Sequence, residues 1–415
     1  MTSRTRHIAL ALIVVGMLAG GVCGWAFGEK MLAIKFLGDI FLNALKMMIV
    51  PLVVASMVTG VAALGDVRRL GRTGLVTLAY YAVTTGLAVA LGIFLANTIR
   101  PGVGAAPIVH ELPEMVERGS YTVVDVIVNM VPSNVFRAAA ETNVLPLIVV
   151  SLVFGGILTT LGEKGKPVIK FFAGVNEAVL KLVHLVMLFA PVGVFALVAT
   201  KLGAAGGGEA FWAELYKLGK YSVTVLAGLA FHGLVVLPLL LFLLARRNPF
   251  RYALNLLTVF ATAFSTGSSA ATLPVTMEEV EKRNGVSAEA ASFVLPLGAT
   301  INMDGTALYE AVAALFIAQV YGIHLGPAQQ LVIFFTATLA AVGAAAIPEA
   351  GLVTMAMVLT SVGLPVEGIG AILAVDWFLD RCRTTVNVWG DTVGAAAVDR
   401  LEIGRRATRE DMEEY

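Results

Sequence analysis

Residues 376–391 read DWFLDRCRTTVNVWGD. At about 100° per residue, Asp376, Asp380, Arg383, Asn387 and Asp391 share one helical face. Apolar runs, GIGAILAV and TVGAAAV, flank the segment, so these polar groups stand where water is scarce. An ionised side chain at mid-bilayer costs at least about 2.5–3.5 kcal/mol on insertion scales, so it marks a polar pathway or a mutual pairing. A self-contained salt-bridge network is the plainer alternative, but three acids against one base neutralise each other poorly. Extra cations are implied, whether sodium, protons or a ligand ammonium. Arg381 lies roughly 100° from Asp380 and is expected to serve another contact.

A second cluster, TINMDGTALYE (300–310), interrupts an apolar span with Asn302, Asp304, Thr306 and Glu310. Gly305 is expected to loosen the helix and free carbonyl oxygens, hard ligands suited to a small cation. Capping explains one Asn or Asp but not the whole set. In AYYAVTT (79–85), Tyr81, Thr84 and Thr85 are neighbours on a helix, and by themselves they read better as hydroxyls satisfied within a helix bundle. Ser268 and Ser269 could suggest a hydrolase nucleophile, but the embedded segments around them offer no His or Lys base, and His184, His232 and His324 belong elsewhere. Cys23 and Cys382 are far apart, lack metal-type spacing and read as small packing residues.

The elements that must hold these groups follow from composition. The chain has 415 residues, 58% hydrophobic and 14% charged, with a mean hydropathy of +0.85. Soluble domains are about 45–50% apolar and about 25% charged, and several runs here exceed the roughly 20 residues that cross a bilayer. The chain therefore reads as an all-α polytopic membrane protein forming one integrated bundle. Zero formal net charge points to neither nucleic acid nor a strongly charged partner. The apolar stretch after MTSRTRH is long and ends in GWAFGEK, so it reads as a retained span rather than a signal peptide.

Apolar length and breakers place spans near 8–27, 36–64, 75–99, 121–161 (broken), 168–200 and 216–245. Residues 251–291 and 327–363 are richer in small and polar residues, and carry SSAATLP and AAAIPEAG. Each reads as two half-helices meeting at an irregular tip, followed by full spans near 292–322 and 367–398. Polar backbone at such tips is tolerable only beside protein or a watery cavity. Repeated interrupted segments are the mark of inverted-repeat transporters with a midplane site. The basic loops SRTRH, DVRRLGR, GEKGKP, ARRNPFR and RLEIGRRATR, taken as cytoplasmic, put both termini inside and bring the hairpins in from opposite faces.

With NMDGT (302–306) and DRCRTTVNVWGD (380–391), the sequence resembles the dicarboxylate/amino acid:cation symporter family, which includes glutamate/aspartate transporters and their neutral amino acid relatives. KMMIVPLVVASMVTG (46–60), SSAATLP and IPEAGLVTM extend the resemblance over nearly the whole chain, and the short 121–161 region looks more prokaryotic than animal. The resemblance implies eight transmembrane helices, two re-entrant hairpins, inverted repeats, an elevator-type mechanism and a homotrimer. It divides the chain into scaffold (1–74 and 121–215), transport domain (75–120 and 216–400) and cytoplasmic tail (401–415).

By the same resemblance, Arg383 grips the substrate's side-chain carboxylate with Thr306 and the Gly351 backbone. Asp380 takes the α-ammonium, with carbonyls near Gly267 and Ile347. Asn387 and the Ser269 backbone take the α-carboxylate, while Ser268 and Thr384 complete the substrate site. One sodium is expected at Asn302, Asn387, Asp391 and the Gly298 carbonyl. A deeper one is expected at Tyr81, Thr84, Thr85, Asn302 and Asp304, and a third at Met303 and carbonyls around Thr300, Ala341, Val342 and Ala344. Glu310 resembles the proton-carrying subgroup, and desolvation favours the protonated form of a carboxyl in an apolar span. Arg381 matches the animal pattern, with Gly267 at the first hairpin's tip, and could receive Glu310 after proton release. Ala346 and Glu349 depart from the usual pattern at the second tip, where Ala lacks glycine's backbone freedom.

These features predict a plasma (inner) membrane secondary transporter, not an enzyme. It would import aspartate or glutamate with sodium and protons, need no cofactor, and allow potassium counter-transport. Physics supports the substrate class: Arg offers a rigid fork for a carboxylate, and Asp380 the complementary charge. A neutral amino acid would leave Arg383 unpaired, and a C4-dicarboxylate would strand Asp380. A symporter for either of those substrates, or a substrate-gated anion channel, is the alternative.

Overall fold

A computed structural model describes residues 3–63, 71–103, 130–204, 208–343 and 350–403, with Val124 and Val128. The described chain is helical throughout, without strands among the described residues. Among the described residues, four stretches, Leu18–Ala62, Arg72–Ile99, Tyr216–Ala245 and Ala288–Val320, are long and apolar enough to cross a bilayer. Large apolar side chains such as Leu18, Val22, Phe94, Leu234 and Phe242 face outward, as a lipid-facing surface requires.

Packing groups many of the helices into two sets, which also touch each other where Lys35–Ala63 meets Ala350–Ser361 and Ala190–Ala204 meets Ile369–Val398. Ser3–Phe27 lies along Ala190–Ala204, and Lys35–Ala63 packs on Val144–Thr160, Lys166–Leu188 and Ala190–Ala204. In the other set, Asp304–Val320 touches Gly71–Ile99, Gly208–Phe231, Pro327–Gly343, Ala350–Ser361 and Ile369–Val398. All but one of the residues in Asp304–Val320 are buried, which makes it the central helix of that set. Its run ALYEAVAALFIA is apolar on nearly every side, as a helix enclosed by protein must be.

Two expected spans are interrupted. Residues 168–200 form Lys166–Leu188 and Ala190–Ala204, separated at Phe189 just before Pro191, whose ring cannot continue the hydrogen-bond ladder. Residues 292–322 form Ala288–Ile301 and Asp304–Val320, because Asn302 (ψ 80°) and Met303 (ψ 62°) leave helical geometry. The break lies before Gly305, so that glycine does not open the helix. Instead it permits close approach: a Cβ there would stand 2.7 Å from the Arg383 carbonyl oxygen.

The first expected hairpin is present as Leu257–Thr266 packed on Ser269–Lys282. Gly267 (φ 57°) ends the first arm in the left-handed region, and Ser268 caps the second by accepting from the Ala271 N–H at 3.2 Å. The tip therefore precedes Pro274, which lies within the second arm. In the second pair, Pro327–Gly343 packs on Ala350–Ser361. Its connection, with Ala344, Ala346, Ile347 and Glu349, lies outside the described residues.

Candidate functional site

The helix Ile369–Val398 carries the polar stripe into the bundle, with Asp376, Asp380, Arg383, Asn387 and Asp391 all buried. Arg383 Nη2 donates to Asp380 Oδ1 at 2.8 Å and lies 3.1 Å from Asp376 Oδ1. The guanidinium carbon sits 3.8 Å from the Tyr309 ring centroid, a cation–π contact strengthened by desolvation. Nε and Nη1 have no hydrogen-bond partner among the described residues. Beside them the helix Ala350–Ser361 begins, and a Cβ at Gly351 would meet Nη1 at 2.8 Å. Arg383 and Asp380 thus close on each other rather than standing apart, and the acids leave part of the guanidinium's donor capacity unused.

Around this pair, Asn387 Nδ2 donates to Thr306 Oγ1 at 3.2 Å, and its Oδ1 accepts from the Gly305 N–H at 2.7 Å. Thr384 donates to the Asp380 carbonyl at 2.9 Å. Ser268 and Ser269 are buried at the first hairpin, both arms of which pack on Ile369–Val398. The structure thus groups Thr306, Gly351, Asp380, Arg383, Thr384 and Asn387 closely, while Ile347 lies outside the described residues.

One step deeper, the Asn302–Met303 break brings a second set together. Asn302 Nδ2 donates to Asp391 Oδ1 at 3.0 Å, and Thr84 Oγ1 donates to Asn302 Oδ1 at 3.2 Å. Thr85 Oγ1 donates to Asp304 Oδ1 at 2.8 Å. Both carboxylates are buried and electrostatically coupled, so unscreened they repel. Hydroxyl, carboxylate, amide and freed backbone oxygens make a donor set suited to a hard cation. Tyr81 sits differently from Thr84 and Thr85: its hydroxyl donates to the Val294 carbonyl at 2.7 Å. At Gly298 a Cβ would stand 2.5 Å from Asp391 Oδ1 and 2.6 Å from the Tyr81 hydroxyl oxygen. Gly298→Ala is therefore expected to raise the sodium concentration for half-maximal binding by at least about tenfold. A sodium titration of substrate binding that matches wild type would contradict this.

Of the third proposed set, Met303 is buried at the break, whereas Thr300 is exposed and donates to the Leu297 carbonyl at 2.9 Å. Ala341 and Val342 end the arm that packs on Ala288–Ile301, and Ala344 lies outside the described residues. Glu310 is fully buried, and neither carboxylate oxygen has a hydrogen-bond partner among the described residues. Its polar neighbours are the Thr354 hydroxyl, as a hydrogen-bonding group, and Arg383, through its charge. Arg381 does not meet it: Nη1 donates to the Trp377 carbonyl at 2.6 Å, with the guanidinium over the Trp377 ring.

One residue assigned elsewhere from sequence belongs here. His232 is fully buried, with Nε2 3.1 Å from Asp304 Oδ2. It opens a π-helical turn, His232–Val236, and the Gly233 carbonyl accepts from Trp389 Nε1 at 2.9 Å. The widened turn and the indole bond join this helix to the stripe helix and face the imidazole toward Asp304. Wide turns of this kind recur at functional sites.

Residues 9–401 match the sodium:dicarboxylate symporter family. The chain belongs to this family. The family's members are transporters rather than enzymes, and the chain is a multi-pass membrane protein. Similar relatives include excitatory amino acid transporter 3 of Mus musculus, 42% identical over 88% of this chain and 79% of the relative. An excitatory amino acid transporter of Caenorhabditis elegans is 38% identical over 95% of this chain and 87% of the relative. Neutral amino acid transporter B(0) of Oryctolagus cuniculus is 42% identical over 95% and 79%. Overall identity does not separate these substrate classes, so the choice rests on the site.

Proposed function

We propose that the chain is a sodium-coupled symporter importing acidic amino acids, aspartate or glutamate. The observation carrying this reading is Arg383, a buried guanidinium whose Nε and Nη1 have no partner among the described residues, one turn from Asp380. A substrate carboxylate fills those donors and its ammonium engages Asp380, whereas alanine leaves the donors empty and succinate supplies no ammonium. An empty buried donor costs about 1–3 kcal/mol. Calorimetric binding in saturating sodium tests the reading: aspartate or glutamate should bind at least about tenfold more tightly than alanine or succinate. Equal or tighter binding of alanine would replace it with a neutral amino acid symporter.

In this reading Asp391 with Asn302 and Gly298, and Asp304 with Thr84 and Thr85, hold sodium. Tyr81 supports the first of these by its place beside Asp391, and His232 presents Asp304. Met303, Thr300, Ala341 and Val342 form a third site. The two packing sets act as scaffold and transport domain, the hairpins are re-entrant, and three copies assemble through the outward apolar faces. The basic loops support cytoplasmic termini in the plasma membrane.

Glu310 carries the proton. Ionised, with only the Thr354 hydroxyl and the Arg383 charge as polar neighbours among the described residues, it would be a poorly compensated buried charge. Glu310→Gln mimics the protonated form and is expected to keep sodium-dependent exchange while removing uptake driven by a pH gradient. Paired exchange and net-flux measurements with labelled aspartate check this, and proton-driven uptake surviving in the variant would contradict it. Internal potassium in the same vesicles tests whether that ion returns the empty carrier.

A further inference from the structure

Asp376 has no place in the contacts proposed above, yet it is 2% exposed and lies one turn before Asp380. Its Oδ1 stands 3.1 Å from Arg383 Nη2, the nitrogen that also donates to Asp380 Oδ1 at 2.8 Å. Two carboxylates converge on one guanidinium nitrogen. They do so differently: Asp380 accepts a hydrogen bond, whereas Asp376 Oδ1 accepts none among the described residues and meets the cation by charge, with Tyr309 as a further polar neighbour of the carboxyl. Tyr221, Tyr309 and Glu310, all fully buried, are electrostatic neighbours of the guanidinium, Glu310 being a further acid beside the Asp376–Asp380 pair.

Asp380 cannot give its full charge to Arg383 and to a ligand ammonium together. When the ammonium takes Asp380, Arg383 loses its hydrogen-bonded acid inside a water-poor bundle. Breaking one side of a buried ion pair is strongly unfavourable because it leaves an uncompensated charge. A second carboxylate already at ion-pair distance removes much of that penalty. We infer that Asp376 is a specificity-determining positioning residue: it holds the Arg383 charge so that Asp380 is released to the α-ammonium. The requirement for an amine beside the side-chain carboxylate then depends on a residue that touches neither group of the ligand. Without the Asp376 charge, Arg383 keeps Asp380 for itself, and the amine contributes little to binding.

This inference rests on the acidic amino acid reading, and the test keeps the two apart. Binding of aspartate and of succinate, which is aspartate without its amine, is measured by calorimetry in saturating sodium. In Asp376→Asn the preference for aspartate over succinate is expected to fall at least about tenfold, with succinate changing less than about threefold. Asp376→Glu keeps the charge and should restore most of the preference. In an Asp380→Asn background, Asp376→Asn should change the preference no further, since it acts through Asp380. An unchanged preference in Asp376→Asn, or equal loss for both ligands, would overturn the inference. So would a further loss in the Asp380→Asn background, which would place Asp376 on the ammonium itself. Asp376→Ser replaces Asp376→Asn if that protein does not fold, with the same expected result. Wild-type protein that fails to bind aspartate defeats the acidic amino acid reading instead.

Discussion

Arg383→Cys or Arg383→Thr is expected to weaken aspartate binding by at least about a hundredfold and to shift preference toward serine or alanine. Removing one member of a buried charge pair costs about 3–5 kcal/mol, and about 1.4 kcal/mol is a factor of ten. Here the loss is compounded. The substrate carboxylate loses its donors, and Asp376 and Asp380 lose the cation that now lies within 3.1 Å of both. Two uncompensated acids then repel an anionic ligand, whereas a zwitterion without a side-chain carboxylate escapes most of that repulsion. Competition by serine, alanine and glutamate for labelled aspartate reads the change. Near-native aspartate affinity in either variant would show that the guanidinium does not meet the substrate.

Asp304→Asn and Asp391→Asn should each raise the sodium requirement for substrate binding by at least about tenfold. The two carboxylates lie buried and coupled, and Asp391 is hydrogen-bonded only by the neutral Asn302 amide among the described residues. Each substitution keeps the shape of the side chain and removes one charge from a place where attraction to a cation is little screened by water. Half-saturating sodium, read from aspartate binding at graded sodium concentrations, checks both. Sodium dependence equal to wild type in both variants would remove the cation sites from the account.

Much of this site was legible because it lies on local helical spacing. The stripe from Asp376 to Asp391 needed only the period of an α-helix, and the Asn302–Asp304 cluster needed only its intrusion into an apolar run. What escaped depends on geometry between distant segments. His232 stands alone in an apolar stretch, and its partner Asp304 is 72 residues away. Nothing local announces the π-helical turn that faces it inward. The helix break was expected from Gly305 but lies at Asn302–Met303, where side-chain bonds from Asn302 to segments 218 and 89 residues distant compete with helical geometry. The closure of Arg383 onto two acids was likewise hidden, because a helical wheel gives faces and not rotamers. Of the fold, the first interrupted segment was visible from its small and polar residues, while the bend at Phe189 lies in an apolar run where Pro191 was its one local signal.

The central claim is that a sodium gradient drives an acidic amino acid across the membrane through this chain. Labelled aspartate uptake into proteoliposomes, with an inward sodium gradient as the only driving force, tests it most directly. Aspartate should accumulate inside above its external concentration, and dissipating the sodium gradient should abolish the accumulation. Uptake that only equilibrates, or that persists unchanged with no sodium present, would contradict it.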